Sequence, residues 1–399
     1  MSFTGLVLVC VVAFVAPLLL GLMPKVRLPA VVLEILAGIV IGPAGLKLVS
    51  VDEPIRVLSL LGLAFLLFLS GLELDVRLLR GRVLQLTGLG FVMTVVLAYA
   101  IAVTLRSAGI VESALLVAIC LSATALGVVA PVLKDAGETT TAFGQLIIAA
   151  ASIADFGSIL ILSLLFSREE ASSSAQLVLM GGFAVLTLAI VAALTVAERS
   201  SALSAVLKRL QDSTAQIRIR GAFLLMVGFT ALAARLGLEL ILGAFVAGAL
   251  LAVLDADYQQ THPKFHEKLE AIGFGVFVPV FFVTSGLRFD VAALFSDSNT
   301  IFRVPIFLGA LLVARGVPAL LYRPLVGQSK AIVAALLQAT SLPFIVAATT
   351  IGIELHAMNK SNASALVAAG LLSVVIFPMT GLALLRRDTS VTPATRVAV

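Results

Sequence analysis

The sequence contains few charged residues and no tryptophan. Only 12% of its 399 residues are Asp, Glu, Lys or Arg, whereas soluble globular domains carry about 25%. Hydrophobic residues make up 60% of the chain. This composition excludes an ordinary soluble enzyme and indicates a protein that lies mostly within a lipid bilayer.

Motifs for nucleotide, metal and nucleophilic chemistry are also missing. There is no G-x-x-x-x-G-K-[ST] loop, which argues against an ATP-driven pump, and no zinc signature or Ser/His/Asp array, so we expect neither an enzyme nor a cofactor. Cys10 and Cys120 lie in apolar runs without metal-ligand or disulfide spacing. The net charge of +5 comes from short loops that have no interleaved aromatic residues, so we expect no nucleic-acid partner.

Apolar runs long enough to cross a bilayer as helices recur along most of the chain. We predict thirteen segments, beginning near residues 4, 30, 56, 84, 112, 141, 176, 217, 239, 268, 303, 330 and 362. The first run lacks the charged start and the cleavage site of a signal peptide, so we expect a retained helix. If the N-terminus is outside, the cytoplasmic loops and tail carry more than twice as many Lys and Arg residues as the outside loops. This asymmetry favours an outside N-terminus and a cytoplasmic C-terminus.

Short sequence words recur in the same order at nearly constant spacing, which indicates an internal duplication. They are LEILAG at 33–38 and LELILG at 238–243, SGLELDV at 70–76 and SGLRFDV at 285–291, and AT at 123–124 and 339–340. The matches pair segments that lie seven crossings apart, and an odd displacement inverts the second copy relative to the first. We therefore predict an all-α polytopic membrane fold with two inverted six-helix repeats, typical of secondary transporters.

The repeat divides the chain, which we expect to be a single membrane transporter unit, into four parts. The first repeat covers residues 1–166, a linking helix and basic loop cover 167–216, and the second repeat covers 217–386. A short cytoplasmic tail at 387–399 follows.

Segments 5 and 12 carry polar, helix-weakening centres at repeat-equivalent positions. SATALG at 122–127 precedes Pro131, and QATSLP at 338–343 ends in a proline. Proline removes a backbone donor and glycine eases unwinding, so we predict two interrupted helices whose freed carbonyls face a cation. The alternative is a pair of ordinary proline kinks with Ser and Thr bonded to preceding carbonyls. The predicted interruption residues are Gly127, Pro131, Thr340, Ser341 and Pro343.

Asp155 lies in the middle of segment 6, far in sequence from any other charged residue. A carboxylate at this depth costs a few kcal/mol unless it is protonated, paired or bound to a cation. Ser152 and Ser158 fall three residues before and after it, on the same helix face, and supply oxygens suited to an alkali cation. We predict that Asp155 binds the cation, with Ser122, Thr124, Ser152 and broken-helix carbonyls as further ligands. The alternative is a structural carboxylate in a salt bridge with Arg315.

Burial favours the neutral form of a carboxyl group, so Asp155 can hold a proton or a cation but not both. Mutual exclusion at one carboxylate is sufficient for coupled exchange. Arg315 lies within segment 11 and stays charged, since arginine is not deprotonated in proteins. We expect it to be a structural charge that stabilises half-helix carbonyl ends or pairs with Glu34 or Glu73, and the sequence leaves both possibilities open.

Four stretches resemble the second cation:proton antiporter family, which includes Kef-type and NapA-type sodium/hydrogen exchangers. They are LEILAGIVIGP at 33–43, LLGLAFLLFLSGLELD at 60–75, GAFVAGALLA at 243–252 and FFVTSGLRFD at 281–290. The resemblance covers essentially the whole chain. It implies a homodimer in which each subunit has a dimerisation domain and a mobile core with two crossed, broken helices, which would be segments 5 and 12. It also implies that the family's core aspartate is Asp155 and its basic residue is Arg315.

Two departures from the family pattern refine this expectation. Ala154 occupies the first position of the family's paired motif, and Ala-Asp with Arg resembles the electroneutral members. The short tail lacks the nucleotide-binding domain of the Kef-type proteins. We therefore expect Na⁺ or K⁺ exchange for protons across a bacterial-type inner membrane by an elevator-like motion. The alternatives are a sodium-coupled organic solute transporter of the same fold and a transport-inactive receptor.

Overall fold

The computed structural model describes residues 3–22, 29–73, 81–166, 216–254, 264–295 and 298–391, with a few positions between 181 and 189. Its first seven helices are α1 (Thr4–Leu22), α2 (Ala30–Ile41), α3 (Glu53–Leu72), α4 (Gly81–Ser107), α5 (Ala114–Ser122), α6 (Leu126–Asp135) and α7 (Ala142–Leu165). The next are α8 (Ile217–Arg235), α9 (Leu240–Leu254), α10 (Lys264–Ile272), a π-helical turn (Gly273–Phe277), α11 (Val278–Arg288) and α12 (Val291–Phe295). The last are α13 (Ser298–Ala319), a 3₁₀ turn (Leu320–Tyr322), α14 (Arg323–Gln338), α15 (Pro343–Glu354) and α16 (Lys360–Val391).

The helices confirm the predicted all-α membrane fold class. Within the described ranges, eight helices or continuous helical runs are long and apolar enough to cross a bilayer, and three shorter apolar helices lie at 30–41, 114–130 and 240–254. Each predicted segment except the seventh and twelfth begins within about five residues of an observed helix start. The twelfth, predicted to begin near residue 330, follows Gly327, where the backbone leaves the helical region within α14 (φ 82°, ψ 170°). The seventh, predicted to begin near residue 176, lies largely outside the described residues.

The chain divides into two compact units, and each unit draws residues from both predicted repeats. Unit 1 consists of Met1–Pro17, Glu34–Val76 and Ile159–Arg288, and unit 2 consists of Leu18–Leu33, Arg77–Ser158 and Phe289–Val399. The predicted boundaries at 166 and 217 remain a prediction about sequence repeats.

Glycine permits close helix contacts at repeat-equivalent places in unit 1. Gly248 in α9 lies against the backbone of Phe68 in α3, so that a Cβ atom on this glycine would be 1.9 Å from the Phe68 carbonyl oxygen. In the same way, Gly38 in α2 lies against α11, where a Cβ atom would be 2.2 Å from the Val283 oxygen. The glycines of the repeated words at 70–76 and 285–291 make the same kind of contact, since a Cβ atom on Gly71 would be 2.2 Å from the Phe245 oxygen of α9 and one on Gly286 would be 2.1 Å from the Ile35 oxygen of α2.

The core of unit 2 surrounds the two interrupted helices. Its buried cluster is formed by residues of α6, α7, α13, α14 and α16 together with the 3₁₀ turn, namely Val129, Leu133, Phe143, Leu146, Ile147, Ala150, Ala319, Tyr322, Val333, Ala334, Leu337 and Leu385. This packing fixes α6 and α14, which each lead to or from an interruption, against α7. The interruptions therefore lie in a closely packed region of the unit.

Replacing Gly248 by alanine tests the close approach of α3 and α9. The added methyl group would overlap the Phe68 carbonyl, and overpacking costs about 1–3 kcal/mol, so we expect a lower Tm in detergent. Gly228→Ala in α8 is the matched control, because a Cβ atom there meets nothing within 4 Å. Equal thermal unfolding of the two variants would contradict this packing.

Candidate ion-binding site

The two helix interruptions meet inside unit 2. Helix α5 ends at Ser122 and α6 begins at Leu126, while α14 ends at Gln338 and α15 begins at Pro343. The Ala125 N–H donates to the Thr340 carbonyl at 2.8 Å, so the unwound segments satisfy each other's backbone groups. The two breaks occur where the polar sequence words predict them.

The local chemistry explains why the helices stop here. Ala123 has an extended backbone (φ −80°, ψ 156°), and Leu342 also leaves the helical region (φ −146°, ψ −56°). Pro343 then occupies the start of α15, where a missing N–H costs nothing because the first turn has no intrahelical acceptor for it. Gly127 and Pro131, by contrast, lie within α6, after the first break.

Asp155 lies midway along α7 beside the first interruption. Its Oδ2 atom accepts a long hydrogen bond of 3.4 Å from the Leu126 N–H, the first residue of α6. The N-terminal end of a helix carries partial positive charge, which favours a carboxylate or another anion there. Asp155 is buried, with 8% of the residue exposed. A Cβ atom on neighbouring Gly127 would meet nothing within 4 Å, which leaves space next to this helix end.

The three serines predicted near Asp155 differ in their contacts. The hydroxyls of Ser122 and Ser158 share a hydrogen bond of 2.8 Å, and Ser122 also donates to the Ile119 carbonyl. Ser152 donates to the Ile148 carbonyl of its own helix. All three oxygens are buried and keep lone pairs with which a cation can interact.

The second interruption contributes its own polar groups. The Thr340 hydroxyl donates back to the Leu336 carbonyl, and the Ser341 backbone exchanges hydrogen bonds with the Ser373 hydroxyl on α16. The Ser341 hydroxyl oxygen is buried and has no hydrogen-bond partner among the described residues. A buried unsatisfied hydroxyl costs about 1–3 kcal/mol, so this oxygen is available to a ligand.

Arg315 holds the C-terminal end of α14 and does not contact Asp155. Its guanidinium donates to the Gln338 carbonyl at 3.3 Å, to the Gln338 side chain, to the Thr124 hydroxyl at 2.8 Å and to the Thr94 hydroxyl at 3.3 Å. The structure thus has Arg315 at a half-helix carbonyl end, one of the two positions that the sequence left open. Within the described residues no carboxylate oxygen lies within 4 Å of it.

Thr124 joins the two interruptions through its side chain. Its hydroxyl donates to the Gln338 carbonyl at 2.7 Å while it accepts from Arg315. These bonds occupy most of the hydrogen-bonding capacity of the hydroxyl. Thr94 and the Gln338 side chain were not identified as site residues from the sequence, and the only signal for either was a polar residue inside an apolar run.

Within the described ranges there is no group of three or more His, Cys, Asp or Glu side chains that could hold a metal ion. An alkali cation here would be held by one carboxylate, hydroxyls and carbonyls, which are the oxygen ligands that such hard, weakly bound ions prefer.

The chain is similar in sequence to a family of membrane exchangers. A family profile described as "Sodium/hydrogen exchanger, transmembrane" matches residues 10–387. The chain is 31% identical over 406 residues to the YjbQ protein of Bacillus subtilis (strain 168), covering 97% of this chain and 64% of that protein. It is 28% identical over 269 residues to the Na⁺/H⁺ antiporter of Enterococcus hirae, covering 66% of this chain and 67% of that one.

A solved structure has the same fold. The sodium proton antiporter MjNhaP1 from Methanocaldococcus jannaschii, at pH 8, superposes with a TM-score of 0.66 over 96% of both chains at 16% sequence identity. At this identity the likeness concerns the fold alone. The chain therefore shares the overall fold of that protein.

Replacing Arg315 by lysine tests its role as the stabiliser of the α14 end. Lysine keeps the charge but concentrates its donors on one nitrogen, so it cannot reach Thr94, Thr124 and both Gln338 oxygens together. We expect the free energy of unfolding to fall by about 2 kcal/mol or more, measured as a lower Tm in detergent. Arg323→Lys, at an exposed position, is the control. A Tm equal to that of the control would contradict the assignment.

Proposed function

Because the chain belongs to the sodium/hydrogen exchanger family of membrane transporters, we propose that it exchanges a monovalent cation, Na⁺ or K⁺, for protons at Asp155. The observation that carries the proposal is the position of this carboxylate. It is buried, it lies beside the interruption between α5 and α6, and it accepts a long hydrogen bond of 3.4 Å from the Leu126 N–H. Such a group is under-compensated and therefore gains from binding either a proton or a cation.

The two ligands compete because they use the same carboxylate. A proton neutralises Asp155 covalently, while a cation needs the ionised form and additional oxygens. Ser122, Ser152 and the Ser341 hydroxyl are candidates for those oxygens. Thr124 would contribute through its backbone carbonyl, since its hydroxyl is engaged with Arg315 and Gln338.

One carboxylate and one fixed cation imply one-for-one exchange. With Arg315 permanently charged and Ala154 unable to ionise, the site has the same net charge whether Asp155 holds one proton or one Na⁺. An exchange cycle between these two loaded states moves no net charge. We therefore infer an electroneutral antiporter.

Coupling requires that the unloaded site does not cross the membrane. We propose that unit 2, which contains Asp155, both interruptions and Arg315, carries the ion by an elevator-like displacement. An unloaded carboxylate in a low-dielectric barrier costs several kcal/mol, so the loaded states cross faster. We also expect a homodimer in an inner membrane, with the N-terminus outside and the C-terminus in the cytoplasm.

Asp155→Asn tests the proposal most simply. The amide keeps the size of the side chain but can neither ionise nor exchange a proton, so cation-dependent proton movement in proteoliposomes should fall to the background rate. Asp52→Asn is the matched control, because Asp52 caps α3 and asparagine caps a helix equally well. Retained exchange in Asp155→Asn would refute the assignment, and solute uptake driven by a Na⁺ gradient would favour the organic-solute alternative.

Electroneutrality has its own experiment. With Na⁺ as the transported cation and the membrane potential set by K⁺ and valinomycin, the initial rate of exchange should be the same at inside-negative, zero and inside-positive potential. A rate that changes with the sign of the potential would show net charge movement. That result would require a second titrating group in the cycle.

A further inference from the structure

Among the described residues, the acceptors of the Arg315 guanidinium are all neutral. They are the hydroxyls of Thr94 and Thr124 and the backbone and side-chain oxygens of Gln338. The residue is only 4% exposed. Neutral acceptors offset part of the cost of burying a charge, but they leave its electric field uncancelled.

Gln338 is bonded at both ends of its side chain. Its Oε1 atom accepts from Arg315, and its Nε2 atom donates to the Ile147 carbonyl of α7 at 3.4 Å. The residue is 1% exposed. Since α7 also carries Asp155, this side chain links the guanidinium to the helix of the carboxylate.

Arg315 and Asp155 flank the same unwound segment. The guanidinium bonds the Thr124 side chain, and the carboxylate accepts from the Leu126 N–H, two residues further on. The two charges act on each other electrostatically. Among the described residues, the other titratable group that acts on this pair is Tyr322, which faces Arg315. The hydrogen bonds to Thr124, Thr94 and the Gln338 side chain hold this long, flexible side chain at the end of α14.

We propose that Gln338 is a positioning residue whose side-chain oxygen, together with the Thr94 and Thr124 hydroxyls, holds the Arg315 guanidinium away from Asp155. The carboxylate then remains available for a cation. This inference rests on the proposed exchange at Asp155. It assigns this task to Gln338, the last residue of α14 before the interruption of the second repeat.

Two substitutions of Gln338 should shift transport in opposite directions. In Gln338→Met, of similar size, Arg315 loses its side-chain acceptor and moves to Asp155, which makes the carboxylate harder to protonate and to load. We expect the cation concentration for half-maximal transport to rise about tenfold or more and the pH of half-maximal transport to fall by about one unit. In Gln338→Glu, the new carboxylate cancels the field of Arg315, so the pH of half-maximal transport should rise by a similar amount.

Gln145 provides the matched control, since it lies exposed on α7 and accepts the same two substitutions. Gln145→Met and Gln145→Glu should leave both quantities unchanged. A purely structural role for Gln338 predicts that both of its variants lose activity and Tm together, without opposite shifts along the pH axis. That outcome, or an unchanged profile in both, would overturn the proposal.

A second readout separates this inference from the proposed function. The carboxyl band of Asp155, assigned in infrared difference spectra by its loss in Asp155→Asn, can be titrated in the full-length protein without any transport. If the native chain moves no cation but the titration midpoint still shifts downward in Gln338→Met and upward in Gln338→Glu, the exchange proposal fails while the positioning role stands. If exchange occurs and the midpoint does not move, the positioning role fails alone.

Discussion

The rest of unit 2 depends on one constraint: a carboxylate is buried inside a membrane protein without a direct cationic partner, and this burial costs free energy. Asp155 is buried, and its described compensation consists of a helix N-terminus at long hydrogen-bond distance and an arginine that bonds elsewhere. Partial compensation of this kind leaves binding free energy for a proton or a cation. Full compensation would remove it.

The effect of placing Arg315 away from Asp155 can be judged from the energy that a direct contact between the two charges would have. Two opposite charges in contact at about 4 Å interact by about 4 kcal/mol at an effective dielectric constant of about 20. A cation that had to displace such a partner would bind about a thousandfold more weakly. By bonding to Thr94, Thr124 and Gln338 instead, the guanidinium stabilises the end of α14 and acts on the carboxylate only through space.

The sequence was sufficient to predict the fold class and the position of the two helix interruptions. The polar words SATALG and QATSLP contain the unwound residues at 123–125 and 339–342, because a break needs residues that leave the helical region at low cost and a proline or glycine nearby. Pro131 shows the limit of this prediction, because it lies within α6, several residues after the break. A proline signals a weakened helix but does not fix where the backbone unwinds.

The partners of Arg315 could not be predicted in the same way. Thr94 and Thr124 precede Arg315 by 221 and 191 residues, and no periodicity within one helix indicates which polar residue of another helix will face it. From the sequence, Arg315 could therefore either stabilise the end of a half-helix or pair with an acid such as Glu34 or Glu73, and the choice between the two remained open. Only the packing of α4, α5 and α14 around α13, with the unwound segment that follows α5, brings the hydroxyls and the Gln338 amide to the guanidinium.

The most direct test of the central claim is the number of protons that the purified protein releases when it binds a cation. Titration calorimetry with Na⁺ or K⁺ in buffers of different ionisation enthalpy gives this number, because a ligand that requires a deprotonated group displaces its proton. The account predicts that near-neutral, proton-loaded protein releases about one proton for each cation bound, and that Asp155→Asn releases none. Cation binding with a heat that is the same in every buffer would contradict it.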